Sequence, residues 1–135
     1  MIEISNFDWR NYTILIADDD DMNYILLTFM LEETTVNIIR AENGAEAVDL
    51  CKSDKKIDLI LMDVKMPIMD GIDATRAIKS FRPNLPIIIQ SAHILEEVKQ
   101  NCFAAGCDNF FDKPFDENIF YNVIDSHLKE TANFS

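Results

Sequence analysis

Five short apolar runs, each followed by a stretch of helical period, restrict this chain more than any other feature of it. The runs are Thr13-Ile14-Leu15-Ile16-Ala17, Val36-Asn37-Ile38-Ile39, Asp58-Leu59-Ile60-Leu61-Met62, Pro86-Ile87-Ile88-Ile89-Gln90 and Asp108-Asn109-Phe110-Phe111. Most are continuous in polarity rather than alternating, as strands covered on both faces are. After the first run, Met22, Ile25, Leu26 and Phe29 fall at i, i+3, i+4 and i+7. Ala47, Val48 and Cys51 follow a capping-box-like Asn43-x-x-Glu46. Ala74, Ala77, Ile78 and Phe81 follow a candidate N-cap at Asp70. Leu95, Val98 and Cys102 form a fourth stripe that ends near Gly106, and Phe120, Val123, Ile124 and His127 a fifth after Asp116. The order is β-α repeated five times. Such alternation predicts a parallel sheet with right-handed crossovers and helices on both faces, with the apolar stripes in the core.

Length and charge narrow the function. The 135 residues make one domain, and no internal repeat divides them. Acidic residues outnumber basic ones 24 to 12, for a formal charge of −12. That balance argues against nucleic acid, whose phosphates need clustered Lys and Arg, and against an anionic membrane surface. No apolar run approaches the ~18 residues of a membrane-spanning helix. Met1 to Tyr12 mixes Glu3, Asp8 and Arg10 with apolar residues and does not read as a secretory signal. Cys51, Cys102 and Cys107 have neither CxxC spacing nor a histidine at zinc-finger distance, so reduced thiols in the cytoplasm are expected.

In an open parallel sheet, sites form beyond the carboxyl ends of the strands. Asp18, Asp19, Asp20 and Asp21 follow the first run, Asp63 the third, Ser91 the fourth and Lys113 the fifth, so all share one edge. Asp20 and Asp21 read most simply as a helix cap and a dipole-favoured first turn. Asp63 is odder, because a carboxylate at the end of a buried strand costs free energy unless paired or metal-bound. Together the carboxylates make a hard-oxygen nest suited to Mg2+, with nothing soft enough to favour zinc or copper. A carboxylate beside Mg2+ can attack a phosphoryl group, while a lysine and a hydroxyl stabilise the phosphoryl oxygens.

With those residues in view, Ile14-Leu15-Ile16-Ala17-Asp18-Asp19, Leu59 to Gly71 and Asp112-Lys113-Pro114 resemble the receiver domain of two-component response regulators. The likeness runs from about Tyr12 to Leu128. It implies a flavodoxin-like (βα)5 doubly wound parallel sheet of strand order 2-1-3-4-5. It implies that Asp63 is the phosphoacceptor, that Asp19, Asp63 and the backbone carbonyl of Lys65 bind Mg2+, and that Asp18 acts mainly through metal-bound water. Ser91 stands where the family binds the phosphoryl group, Lys113 resembles its invariant lysine, and Lys113-Pro114 resembles its cis peptide. Lys65 and His93 stand where the phosphoryl lifetime is tuned. Ser91 and Phe110 stand at switch positions. Phenylalanine has no hydroxyl, so the expected switch is an inward turn of the ring that buries it.

The resemblance also implies partners. A histidine kinase or a histidine phosphotransfer domain would donate the phosphoryl group. A partner or a second copy, giving a homodimer, would dock on the face of the fourth helix, fifth strand and fifth helix, about Leu95 to Leu128. The expected organisation is a lead-in over 1–11, a receiver domain over 12–129 and a tail over 130–135. Phe7 and Trp9 in the lead-in could pack back onto the domain. The lead-in, Ile39 to Gly44 and Met62 to Pro67 are most similar to receivers of hybrid histidine kinases, so a stand-alone receiver and one belonging to a hybrid kinase are both open. Two other readings are weighed. An Asp-nucleophile phosphatase usually has a second Asp two residues after the first, where this chain has Lys65. A degenerate receiver that only binds protein would not need Asp18, Asp19, Asp63, Ser91 and Lys113 together.

Overall fold

A computed structural model describes residues 7–92, 95–113 and 116–130, and the backbone of 131–132. The strands are β1 (Thr13–Ala17), β2 (Asn37–Ala41), β3 (Leu59–Asp63), β4 (Ile87–Ser91) and β5 (Asn109–Asp112). The helices are α1 (Asp21–Leu31), α2 (Gly44–Lys52), α3 (Gly71–Phe81), α4 (Glu96–Ala104) and α5 (Glu117–Ala132), with a 3-10 turn at Glu32–Thr34. The strands form one sheet in the order β2-β1-β3-β4-β5, and every pairing is parallel. The chain therefore has the flavodoxin-like (βα)5 fold and strand order that the resemblance implies, and the parallel sheet that its alternating pattern predicts. The last three strands run one residue further than the apolar runs suggest. The ladder continues to the edge, where Asp63 pairs in register with Gln90 and Ser91 with Asp112.

Alternation along each strand divides the core in two. Leu15, Ile60, Met62, Ile87, Ile89 and Phe110 point to one face, against Ala47, Val48 and Cys51 of α2, Ala74 and Ile78 of α3 and Cys102 of α4. Ile14, Ile16, Leu59, Leu61, Ile88 and Phe111 point to the other, against Leu27 and Leu31 of α1 and Phe120, Tyr121, Ile124 and Leu128 of α5. Helix starts follow their caps. Asp20 accepts the N–H groups of Met22 and Asn23, Asn43 that of Glu46, and Asp70 that of Asp73. The three cysteines are buried free thiols. Burial pushes Cys51 up to about 11 and Cys107 up to about 12, which keeps both protonated and unreactive. Among the described residues no helix is long and apolar enough to cross a membrane.

Not every apolar stripe lies in the core: Leu95 is 71% exposed and Phe81 38%, and the first helix departs most. Met22, Ile25, Leu26 and Phe29 do not face the core: Met22 and Phe29 are 74% exposed, Ile25 57% and Leu26 50%. Leu27 and Leu31 are buried instead, with Tyr24 and Met30 packed beside them. This helix carries two apolar stripes of helical spacing, and periodicity does not say which one meets the sheet.

Trp9 ties the start of the chain to the α1/α5 face. It is 1% exposed. Its indole N–H donates to Asp125 of α5 at 2.9 Å, and its backbone N–H donates to the carbonyl of Thr34 at 2.8 Å. Its ring lies against Phe7 and Tyr121, with centroids 5.6 and 6.3 Å away. Trp9→Ala is expected to cost about 3–5 kcal/mol, the range for emptying a buried large aromatic site. Urea unfolding measures it, and a loss below about 1 kcal/mol would show that the indole rests on the fold without contributing to it.

Candidate functional site

The parallel register brings the ends of β1, β3, β4 and β5 to one edge. Asp18 and Asp19 directly follow β1, Asp63 ends β3, Ser91 ends β4, and Lys113 directly follows β5. One carboxylate oxygen from each of Asp18, Asp19 and Asp63 lies within 4.8 Å of the others. The three differ in environment: Asp18 is buried, Asp63 half-buried and Asp19 exposed.

Each is held differently. Asp18 Oδ1 accepts the backbone N–H of Asp20 at 2.9 Å. Its Oδ2 accepts the side-chain amides of Asn23 and of Gln90, the latter at 3.2 Å. The Arg40 guanidinium donates to the Asp18 backbone carbonyl at 3.1 Å and pairs with Asp21 at 2.8 Å, fixing the turn out of β1. Asp63 Oδ1 accepts the N–H of Val64 at 2.9 Å. The loop beyond it is pinned by Gly71, whose N–H donates to the Val64 carbonyl at 2.8 Å. Any Cβ at Gly71 would stand 1.9 Å from the carbonyl oxygen of Asp63, so only glycine lets α3 begin this close to the strand end.

Burial, with the neighbouring Asp18 charge next, pushes the Asp63 carboxyl from its usual 3.8 up to about 6. The Lys113 ammonium and the Val64 N–H pull it down, and Asp19 adds a smaller upward push. Two of the three carboxylates are at least half-buried and all are hard oxygen donors, which is the donor chemistry that Mg2+ takes. The residues present therefore fit that ion, with Asp18, Asp19 and Asp63 as its candidate holders.

Lys65 is exposed in the loop after β3. Ser91 is half-buried, and its backbone carbonyl accepts the N–H of Lys113 at 3.0 Å, tying the two strand ends together. Phe110 is already buried, 8% exposed, in one cluster with Ile89 and Cys102. The Lys99 ammonium lies 5.3 Å from the centre of its ring. The ring therefore already lies inward in this structure. His93 and Pro114 lie outside the described residues.

Three features escaped the reading of the sequence. Asn23 and Gln90 reach the site from α1 and β4. The only sequence signal for Gln90 was a polar residue ending an otherwise apolar run. Ile68, in the loop between β3 and α3, adopts a positive φ of 70°, and the Met69 N–H donates across it to Pro67 at 2.7 Å. A β-branched residue there is a strained turn beside the site.

Residues 14–125 match the response regulator receiver domain family. The chain is 33% identical to hybrid signal transduction histidine kinase I of Dictyostelium discoideum over 94% of its own length, but spans only 8% of that protein. It is 39% identical to the chemotaxis protein CheY of Halobacterium salinarum, covering 85% of this chain and 95% of that one. Among solved structures it resembles the receiver domain of the sensor histidine kinase PA1611 of Pseudomonas aeruginosa PAO1. The TM-score is 0.80 at 28% identity, with 87% of this chain and 98% of the other covered. That structure holds a magnesium ion in its active-site cleft.

The raised Asp63 carboxyl has a measurable consequence. A carboxyl whose pKa is higher folded than unfolded contributes stability below its unfolded value and loses it as pH rises through the folded one. Without divalent cations, ionising the half-buried, solvent-screened Asp63 between about pH 4 and 6 is expected to cost the fold on the order of 1–2 kcal/mol. Asp63→Asn is expected to be more stable than the wild type by about that amount at pH 7.5, with the difference vanishing near pH 4. Urea unfolding in EDTA at both pH values measures this. An equal difference at both would assign the effect to packing instead of charge.

Proposed function

The chain belongs to the response regulator receiver domain family, and from that premise we propose that it accepts a phosphoryl group on Asp63 from a histidine kinase or phosphotransfer domain. The observation that carries the reading is the convergence of Asp18, Asp19 and Asp63, with the Lys113 charge acting on Asp63. An Asp63 oxygen attacks the phosphorus of a phosphohistidine. The P–O bond forms as the P–N bond breaks, and the imidazole leaves with its electron pair. Mg2+, held by Asp18, Asp19, Asp63 and the Lys65 carbonyl, would supply positive charge against the phosphoryl oxygens. The Lys113 ammonium and the Ser91 hydroxyl receive those oxygens, and the Ser91–Lys113 backbone hydrogen bond keeps the two groups on neighbouring strand ends. Lys65 and His93 flank this place in the sequence and are proposed to tune how long the phosphoryl group survives.

The exposed stripe of α1 supports a docking place for the donor. Met22, Ile25, Leu26 and Phe29 form an apolar face on the helix that begins directly beyond Asp18 and Asp19. A donor protein must bring its histidine within bonding distance of Asp63, so its surface must cover what borders the site. A separate apolar set, Leu95, Phe103 and Ile119, lies exposed on α4, its N-cap and α5. This supports the α4-β5-α5 face as the output or self-association surface, away from the donor.

Two measurements test the reading. Acetyl phosphate or phosphoramidate with Mg2+ is expected to add one phosphoryl group, detected by intact mass, and EDTA or Asp63→Asn to abolish it. Equal modification of Asp63→Asn would overturn the assignment. For the donor face, Phe29→Ser is expected to lower the rate of transfer from a phosphohistidine protein relative to that from acetyl phosphate by roughly tenfold, the loss of one apolar anchor. An unchanged ratio would place the donor elsewhere.

A further inference from the structure

The amides around Asp18 form a closed ring that the phosphoacceptor reading does not use. Gln90 is fully buried and Asp18 is 1% exposed. The Asn23 side-chain amide donates both to Asp18 Oδ2 and, at 3.3 Å, to the side-chain Oε1 of Gln90. The Gln90 amide donates to the same Asp18 oxygen at 3.2 Å. The ring sets its own polarity: turning the Gln90 amide over would aim its oxygen at a carboxylate. A carboxylate offers about four acceptor positions. Among the described residues, two on Oδ2 are filled by the side-chain amides and one on Oδ1 by the Asp20 N–H.

We propose that Asn23 and Gln90 are positioning residues that lock Oδ2 of Asp18 and leave one acceptor position, on Oδ1, for the cation or its bound water. The ring holds the least exposed of the three carboxylates from two elements at once, the first turn of α1 and the end of β4. Without either amide, Asp18 keeps its burial beside Asp19 and Asp63 but loses its fixed rotamer. Its remaining lone pairs then need no longer face the cluster. Gln90 also directly precedes Ser91 and pairs in register with Asp63, so the ring links metal binding to the strand that carries the phosphoryl-binding hydroxyl.

The inference rests on the phosphoacceptor reading of this site, and the experiment separates the two. Mg2+ binding is measured by calorimetry on the wild type, Gln90→Met and Asn23→Ala, with urea unfolding in EDTA as the check on folding. Methionine matches the length of glutamine and cannot donate. If burial leaves Gln90→Met unfolded, Asn23→Ala on the half-buried side of α1 carries the test alone. Each variant is expected to weaken Mg2+ binding roughly ten- to a hundredfold, as loss of supporting hydrogen bonds to metal ligands does. The Mg2+ concentration for half-maximal phosphorylation by acetyl phosphate should rise in step, while the rate at saturating Mg2+ moves less. In an Asp18→Asn background the same substitutions should change Mg2+ binding by less than about twofold, because the group they act through is gone. Variants that bind Mg2+ as tightly as the wild type, or that weaken it equally in the Asp18→Asn background, would overturn the positioning role alone. A wild type that binds no Mg2+ would overturn this inference and the phosphoacceptor reading together.

Discussion

Like charges a few ångströms apart repel, and Asp18, Asp19 and Asp63 stay together because the backbone leaves them no alternative. Asp18 and Asp19 follow a strand hydrogen-bonded on both sides, and Asp63 ends its neighbour in the sheet. The parallel ladder sets where those strands end, and the two apolar clusters hold the ladder. The Asp63 carboxyl is pushed up to about 6, by burial first and by the Asp18 charge next. A bound cation would oppose that charge, and any ligand that binds only the folded state adds to its stability.

The two faces of the sheet divide the surroundings of the site. On one, α1 and α5 pack against Ile14, Ile16, Leu61 and Ile88, and the same face carries the buried side chains of Asp18 and Gln90 toward the edge. On the other, α2, α3 and α4 pack against Met62, Ile89 and Phe110. Gly71 lets α3 start against the Asp63 carbonyl there, where any side chain would collide. The Lys99 ammonium over the Phe110 ring links α4 to β5 on this second face. Asp63 stands at the edge between these two layers.

Much of this was legible in the order of residues. Strand runs, capping residues and their spacing led to five βα units. The carboxyl-end rule gathers Asp18, Asp19, Asp63, Ser91 and Lys113 on one edge. What misled was periodicity alone. Met22, Ile25, Leu26 and Phe29 have core spacing yet face solvent, because Leu27 and Leu31 carry a second stripe at a different angle on the same helix.

The sequence by itself determined the secondary structure, the parallel topology and which side chains lie at the carboxyl edge. Each of those follows from local patterns: apolar runs, caps and the alternation of strand with helix. Tertiary structure alone decided which stripe of α1 faces inward, that Trp9 belongs to the core, and that Asn23 and Gln90 close a ring on Asp18. These contacts join residues far apart in the chain, the two amides 67 positions apart and Trp9 and Asp125 116 apart. Their energies depend on whether the intervening layers pack, a three-dimensional condition that no local spacing encodes.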